Sequence, residues 1–198
     1  MIMRTIHYHW RIHLVTALLV LCSTSISLGA EPSAYVLSNG MKVLLVEVPK
    51  APVATVQVWY KVGSRNEVMG RAGLSHMLEH MMFKGTARYP KGSFSRIVRK
   101  NGGIDNAFTG QDFTAYFENM AADRVGLALE LEADRMQGLL LDHSEFQTER
   151  DVVKEERRLR SEDDPQGALV EALFAQAFLS HPYHWPVIGW FADLDAMS

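Results

Sequence analysis

The sequence predicts an α+β domain in which a largely antiparallel sheet packs against helices. Two observations lead to this fold class: strand-like segments come first, and long helical patterns fill the second half of the chain. The strand segments are residues 35–37, 41–48 and 53–62, with a Ser38-Asn39-Gly40 turn signal between the first two. Strands joined by so short a turn pair antiparallel.

Five helices are predicted from helix-forming composition and from the breakers that flank it. They cover about residues 71–84, 93–100, 121–140, 145–162 and 167–179. The second helix ends at Asn101-Gly102-Gly103, and Asp163-Asp164-Pro165 stops the fourth. Between the second and third helices, residues 112–117 alternate, with Phe113, Ala115 and Phe117 as the apolar set. A period of two predicts a half-buried strand there.

The first predicted helix carries the strongest chemical signal. His76 and His80 are four residues apart, so a helix places both imidazoles on one side, with Glu79 beside them. Two imidazoles and an adjacent carboxylate are the groups that a zinc hydrolase uses as metal ligands and general base. The order H-x-x-E-H inverts the commoner H-E-x-x-H zinc motif. A surface helix with two unrelated histidines is the alternative that five residues alone leave open.

The same helix has a separate apolar side. Its members are Leu74, Met77, Leu78, Met81 and Met82. On a helical wheel these side chains point away from the two histidines and the glutamate. We therefore expect the helix to bury one face and to present its chemical groups on another.

A third metal ligand is predicted on the acidic helix at 145–162. Glu149 and Glu156 are seven residues apart and fall in the middle of an apolar stripe. The stripe comprises Phe146, Val152, Val153 and Leu159. Burying two carboxylates is costly unless a cation neutralises them. We assign Glu156 as the third ligand and Glu149 as a carboxylate that orients the ligands, with Glu155, on the flank of the stripe, as the weaker alternative.

Together these residues resemble the pitrilysin/insulinase family of zinc metallopeptidases, which includes the processing peptidases. The resemblance runs from about Ala34 to the last residue, and its main segments are residues 63–67, 73–86 and 149–156. It implies the fold of the family's N-terminal catalytic domain, with one Zn²⁺ per domain. It also implies that Glu156, the second acidic residue of the last segment, binds zinc and that Glu79 is the catalytic base.

The resemblance extends to a segment that would bind the substrate. Asn106, Ala107, Phe108 and Thr109 look like the family's substrate-binding edge strand. An exposed edge can pair with an extended peptide through main-chain hydrogen bonds, so it needs little sequence information from the peptide. An ordinary edge strand would have the same local sequence, and these residues alone do not separate the two interpretations.

Residues 1–30 have the features of a secretory signal peptide, and residues 31–198 are the expected zinc peptidase domain. Arg4 and Arg11 precede an apolar run from Leu14 to Cys22, no acidic residue is present, and small residues lead to Ala30. This pattern favours a periplasmic or secreted location for the protein. A mitochondrial transit peptide is the alternative, although its basic residues would be spread along an amphipathic helix. A lipid anchor on Cys22 is disfavoured by the bulky residue before it.

The amino-acid composition limits the classes of partner that we expect the protein to bind. The chain has 47% hydrophobic and 22% charged residues and a net charge of −3, which becomes −5 without the two arginines of residues 1–30. Such a charge disfavours nucleic acid and acidic membranes as partners. The apolar run is too short for a stable membrane span. The single cysteine, Cys22, leaves residues 31–198 without thiol or disulfide chemistry.

Length bears on the function. Members of the resembled family carry a second, related domain, and the two domains enclose the peptide. We therefore expect this chain to be a fragment of a longer protein or a half that pairs with a homologous subunit. The two functions considered are a zinc endopeptidase that cleaves peptides or small unfolded polypeptides, and a non-catalytic binding or scaffold subunit. The complete set of His76, Glu79, His80 and Glu156 favours the enzyme.

Overall fold

Two short strands near the start form the predicted hairpin. The computed structural model describes residues 31–198, so the predicted signal peptide lies outside the described residues. β1 (Ser33–Val36) and β2 (Lys42–Leu45) pair antiparallel, with Ala34 opposite Leu44. This hairpin belongs to a compact unit that ends at Ala51, and all other elements lie in a second unit, Pro52–Ser198.

The second unit is built on a three-stranded antiparallel sheet. Its strands are β3 (Val53–Tyr60), β4 (Ile104–Thr109) and β5 (Thr114–Ala121). The spatial order is β3-β5-β4, so β5 is central and β4 forms one edge of the sheet within the described residues. The antiparallel sheet and the helices that accompany it confirm the predicted α+β class.

The burial of β5 follows the predicted alternation only in part, because Ala115 is buried as expected but the two phenylalanines are not. Phe113 and Phe117 are only partly buried, whereas Tyr116 and Glu118 are buried. Helices cover the face with the even-numbered residues. On the other face the aromatic rings contact one another, as Trp59 does with Phe113 at 4.7 Å between centroids. The predicted half-buried strand is therefore present, and Ala115 is the fully buried member of its predicted apolar set.

Six α-helices lie in the second unit. They are α1 (Leu74–Met81), α2 (Ser93–Lys100), α3 (Val125–Gly138), α4 (His143–Arg157), α5 (Pro165–Ala177) and α6 (Phe191–Ala196). The first five confirm the predicted helices, with ends that differ by a few residues. A π-helical turn, Arg158–Glu162, continues α4, and α6 was not predicted. No helix within residues 31–198 is long and apolar enough to cross a membrane.

One hydrophobic cluster joins α1 to α4. Met77 and Met81 of α1 pack with Val153 of α4, and Ile188 and Leu194 complete the cluster. Leu74 and Leu78, predicted to pack, are exposed, because the contact with α4 covers a narrower face than the wheel indicates. The two helices that carry the predicted metal ligands are thus fixed to each other by apolar burial.

A second hydrophobic cluster holds α2 and α3 against the sheet and includes a buried ionic group. Arg135 donates from Nε to Glu132 at 2.8 Å and lies 3.5 Å from Glu118. Its guanidinium also lies over the ring of Tyr116, 4.3 Å from the centroid. Burial raises the pKa of Glu118 to about 9. Glu132 is therefore paired with Arg135, and Glu118 is held protonated.

Candidate metal centre

The start of α1 is fixed by a carboxylate from outside the helix. Glu67 accepts hydrogen bonds from the backbone N–H groups of Gly73 and Ser75, both at 2.7 Å. Gly73 has a φ of +92°, and a Cβ at this position would lie 2.6 Å from the carbonyl oxygen of Ile188. Only glycine suits both constraints. These two N–H groups at the start of the helix are thus satisfied, and the rotation of α1 about its axis is set.

Three predicted ligand atoms converge in the space between α1 and α4. Oε2 of Glu156 lies 3.7 Å from Nε2 of His76 and 3.2 Å from Nε2 of His80. Ligand atoms at about 2.1 Å from a tetrahedral zinc ion are roughly 3.4 Å apart, so these separations suit one ion. The described residues contain one group of three or more histidine, cysteine or acidic side chains with ligand atoms this close, and it is this one.

Charged groups behind the ligands hold them in orientation. Oε1 of Glu149 lies 2.9 Å from Nδ1 of His80, and its other oxygen pairs with Lys84. The Nδ1–H donates to this carboxylate, which directs the lone pair of Nε2 toward Glu156 and the metal position. Arg160 lies 3.0 Å from Oε1 of Glu156. Each of the two acidic side chains therefore has its own cation.

The two imidazoles have opposite pKa shifts. Burial lowers the pKa of His76 to about 4, and the neighbouring His80 adds to this effect. Burial also lowers the pKa of His80, but hydrogen bonds with Glu156 and Glu149 outweigh it, so the net pKa of this ring is raised. The hydrogen bond with His80 lowers the pKa of Glu156. His76 is therefore neutral and ready to bind a metal, while a proton competes for His80.

The predicted general base lies beside this cluster and has one defined partner. Glu79 is 9% exposed, and burial raises the pKa of its carboxyl group. Its Oε2 accepts a hydrogen bond from the hydroxyl of Thr109 at the end of β4. Oε1 has no hydrogen-bond partner within residues 31–198, and Glu79 lines the adjoining cleft. One carboxylate oxygen is thus free to exchange a proton with a molecule in the cleft.

A cleft of about 1570 Å³ opens over the cluster. The edge strand β4 lines it with Asn106, Ala107 and Phe108. The backbone N–H of Ala107 donates to the side-chain oxygen of its neighbour Asn106 at 2.9 Å. Tyr183 and Trp185, from the loop before α6, also line this space. The predicted substrate segment therefore lies beside the predicted metal ligands.

The geometry distinguishes between the two glutamates considered for the third ligand. The side chain of Glu155 is 59% exposed, and its carboxylate pairs with Arg158 at 2.8 Å. Glu156 faces the histidines instead. Val152 and Leu159, expected in the buried stripe, are 48% and 62% exposed and line the cleft. The buried face of α4 includes Val153 but not Val152, so it is rotated about the helix axis relative to the predicted stripe.

Sequence reasoning missed four features that support the site. These are Glu67 at the start of α1, Lys84 beside Glu149, Arg160 beside Glu156, and the role of Thr109 as a partner of Glu79. Arg160 was accessible from the sequence, because residues four apart on a helix are neighbours. The other three contacts depend on tertiary structure and leave no local pattern.

Known proteins carry the same domain. A profile of the family described as Insulinase (Peptidase family M16) matches residues 42–189, well over half of the chain. The chain belongs to this peptidase family. The resemblance seen in the sequence is thereby confirmed.

The M16 assignment has support from relatives and from a solved structure. A zinc protease named PqqE from Helicobacter pylori is 45% identical over 159 residues, which is 80% of this chain and 36% of that protein. The beta subunit of the mitochondrial-processing peptidase of Lentinula edodes is 33% identical over 84% of this chain and 36% of that subunit. A crystal structure of a protease from Helicobacter pylori matches with a TM-score of 0.83 and 43% identity, covering 85% of this chain and 41% of that one. The chain spans a little over a third of the length of the curated relatives.

Proposed function

We propose that the protein is a zinc endopeptidase in which His76, His80 and Glu156 hold one zinc ion and Glu79 acts as general base. The observation that carries this proposal is the convergence of two Nε2 atoms and one carboxylate oxygen beside a buried glutamate with a free oxygen. The names of the M16 relatives agree with it, since several are called zinc proteases. Lys84 and Glu149 would hold the His80 ring in its binding orientation.

The chemistry divides between the metal and Glu79. A zinc ion at this position would supply Lewis-acid activation of a water molecule and of the peptide carbonyl. Glu79 accepts a proton from the attacking water as the new C–O bond forms. It then donates that proton to the nitrogen of the leaving amine as the C–N bond breaks. The raised pKa of Glu79 suits both transfers, because it brings the carboxyl group closer to neutral pH.

A peptide in extended conformation is the substrate class that suits the cleft. β4 forms an edge of the sheet within the described residues, and the N–H of Ala107 donates to the side-chain oxygen of Asn106. A substrate strand could take the place of that side chain and pair with the backbone of residues 106–108. Thr109 ends the same strand at the general base. The scissile bond would thus be held beside Glu79.

Two wider features of the proposal concern the whole protein. The M16 relatives are longer than this chain, and we propose that a second homologous domain or subunit completes the cleft around the peptide. The composition of residues 1–30 supports delivery to the periplasm or the exterior, with a mitochondrial location as the alternative.

The decisive experiment combines metal analysis with peptide cleavage. Wild type should contain one zinc per chain and cleave unstructured peptides. Glu79→Gln should keep the zinc and lose about 100-fold or more of kcat. Glu156→Gln should lose zinc, whereas Glu155→Gln, the matched control on the same helix, should behave as wild type. Zinc binding without cleavage by the full-length protein would favour the non-catalytic subunit, and full activity of Glu79→Gln would refute the general-base role.

A further inference from the structure

Thr109 contacts the carboxylate proposed as the general base. Its hydroxyl donates to Oε2 of Glu79, so this oxygen already has a strong partner. The other oxygen, Oε1, has no hydrogen-bond partner within residues 31–198. The two oxygens of one carboxylate are therefore not equivalent, and the asymmetry comes from a residue on a different secondary-structure element.

The threonine hydroxyl is itself held in place. Thr109 is the last residue of β4 and lies opposite Thr114 in the sheet register. Thr114 donates its hydroxyl hydrogen to the carbonyl oxygen of Val62 at 2.9 Å, and its oxygen lies 3.4 Å from that of Thr109. The oxygen of Thr109 is thus held beside Thr114, and its hydroxyl hydrogen is donated to Glu79, because a carboxylate oxygen accepts.

The backbone around Thr109 is equally constrained. Immediately after it, the N–H of Gly110 donates to the carbonyl oxygen of Phe113 at 2.8 Å and closes a tight turn. The carbonyl oxygen of Gly110 accepts from the N–H of Ser64 at 3.2 Å. A Cβ on Gly63 would lie 2.3 Å from this same oxygen, so the two segments are in direct contact. The position of the donor is thus fixed by the sheet and by the segment that precedes α1.

We propose that Thr109 is a positioning residue that fixes the carboxylate plane of Glu79 so that Oε1 is the atom that accepts the proton from the attacking water. This inference rests on the proposed peptidase function for its chemical meaning. The inference also gives β4 a second role. The strand is proposed to bind the peptide, and its last residue, Thr109, would orient Glu79. A residue placed in this way acts through Glu79 and does not touch the reacting atoms.

Three substitutions at this position separate positioning from packing. Thr109→Val keeps the shape of the side chain and removes the donor, Thr109→Ser keeps the donor, and Thr109→Ala removes both the donor and the branch. Thr55→Val is the matched control, because Thr55 is an exposed threonine of the same sheet whose hydroxyl donates to Asn119. Zinc affinity should stay within about twofold of wild type in all four variants, since Thr109 bonds to none of the three ligands.

The first readout is the orientation of Glu79 in crystal structures of the zinc-loaded proteins. The carboxylate should rotate away or split between two orientations in Thr109→Val and Thr109→Ala, and should match wild type in Thr109→Ser. An unchanged carboxylate in Thr109→Val would overturn the proposal, whether or not the protein cleaves peptides. If Thr109→Val does not fold, the comparison of Thr109→Ala with Thr109→Ser decides in the same way.

The second readout is kinetic. With a peptide substrate, Thr109→Val should lower kcat roughly 10-fold to 100-fold with KM within about twofold of wild type. Thr109→Ser should retain most of the wild-type kcat, because it keeps the hydroxyl donor. A role of the side-chain shape alone would not give this result. A wild-type protein that binds zinc but cleaves no peptide would refute the proposed function alone, and the crystallographic comparison would still decide the role of Thr109.

Discussion

Nδ1 of His80 lies 2.9 Å from Oε1 of Glu149, on the side of the ring opposite to the nitrogen that faces the metal position. This contact leaves one tautomer of the neutral ring, with the hydrogen on Nδ1 and the lone pair on Nε2. The carboxylate also strengthens the imidazole as an electron donor. Metal affinity should therefore depend on a residue that does not touch the metal.

Replacing Glu149 tests this dependence. Glu149→Gln keeps the size of the side chain but removes its charge and its ion pair with Lys84. We expect the zinc affinity to fall about 10-fold or more. Competition with a chromophoric chelator measures it, and Glu155→Gln, on the exposed side of α4, is the control. Equal affinities of the two variants would contradict the role of Glu149.

Zinc binding should release a proton. The pKa of His80 is raised above the ordinary value of 6.5, so more than half of the metal-free molecules carry a proton on this ring at pH 6.5. The pKa of His76 is lowered to about 4, so His76 carries none at that pH. Zinc requires the neutral form of both rings. Calorimetric titrations in buffers with different ionisation enthalpies should give a net release of more than half a proton at pH 6.5 and less as the pH rises. A binding enthalpy that is independent of the buffer would show that His80 is already neutral.

The carboxylate at the start of α1 should contribute measurably to stability. Glu67→Ala removes the acceptor for two backbone N–H groups of the first turn. Losing the partners of such partly buried donors costs roughly 1–3 kcal/mol of unfolding free energy. Urea unfolding in the presence of a chelator measures this loss, and Glu155→Ala is an exposed control. A change of less than about 0.5 kcal/mol would mean that water replaces the carboxylate.

The buried pair of Glu118 and Glu132 predicts a pH dependence of stability. The pKa of Glu118 is about 9 in the folded chain and near its ordinary value of 4.5 in the unfolded one, so the folded state holds an extra proton between these values. Stability from this group is complete below pH 4.5 and is lost as the pH rises through 9, by up to about 1.4 kcal/mol per pH unit. Glu118→Gln mimics the protonated acid and should flatten this slope. Urea unfolding of both proteins from pH 5 to pH 9, with a chelator present, measures the difference, and parallel curves would contradict the shift.

The sequence contained enough to predict the α+β class, five of the six helices of residues 31–198 and the residues that converge in the cluster. Helical spacing places His76, Glu79 and His80 together without knowledge of the fold, because residues three and four apart share a face. A spacing of seven places Glu149 and Glu156 on the same side of their helix for the same reason, and both contact His80 in the structure. These inferences depend only on the geometry of one helix.

The orientation of each helix in the fold was harder to predict. Val152 and Leu159 are apolar, yet they line the open cleft, and Arg135 is buried although it is charged. The buried face of a helix is chosen by its neighbours, and a buried arginine is tolerated because two acidic residues from different elements meet it. The contact of Thr109 with Glu79 likewise joins residues 30 positions apart. The pairs Arg135–Glu118 and Thr109–Glu79 join different elements, so no local pattern encodes them.

The division of the ligands between α1 and α4 has a consequence for the newly made chain. Glu156 follows His80 by 76 residues, so the nascent polypeptide holds both histidines and the general base well before the third ligand is synthesised. Until α4 docks through Val153, the site has only two of its three proposed ligands, and we expect it to hold zinc weakly. Tight metal loading thus reports that the tertiary fold is complete. If the proposed peptidase function holds, such an order of assembly would delay activity until the fold is complete, away from the unfolded chains made at the ribosome.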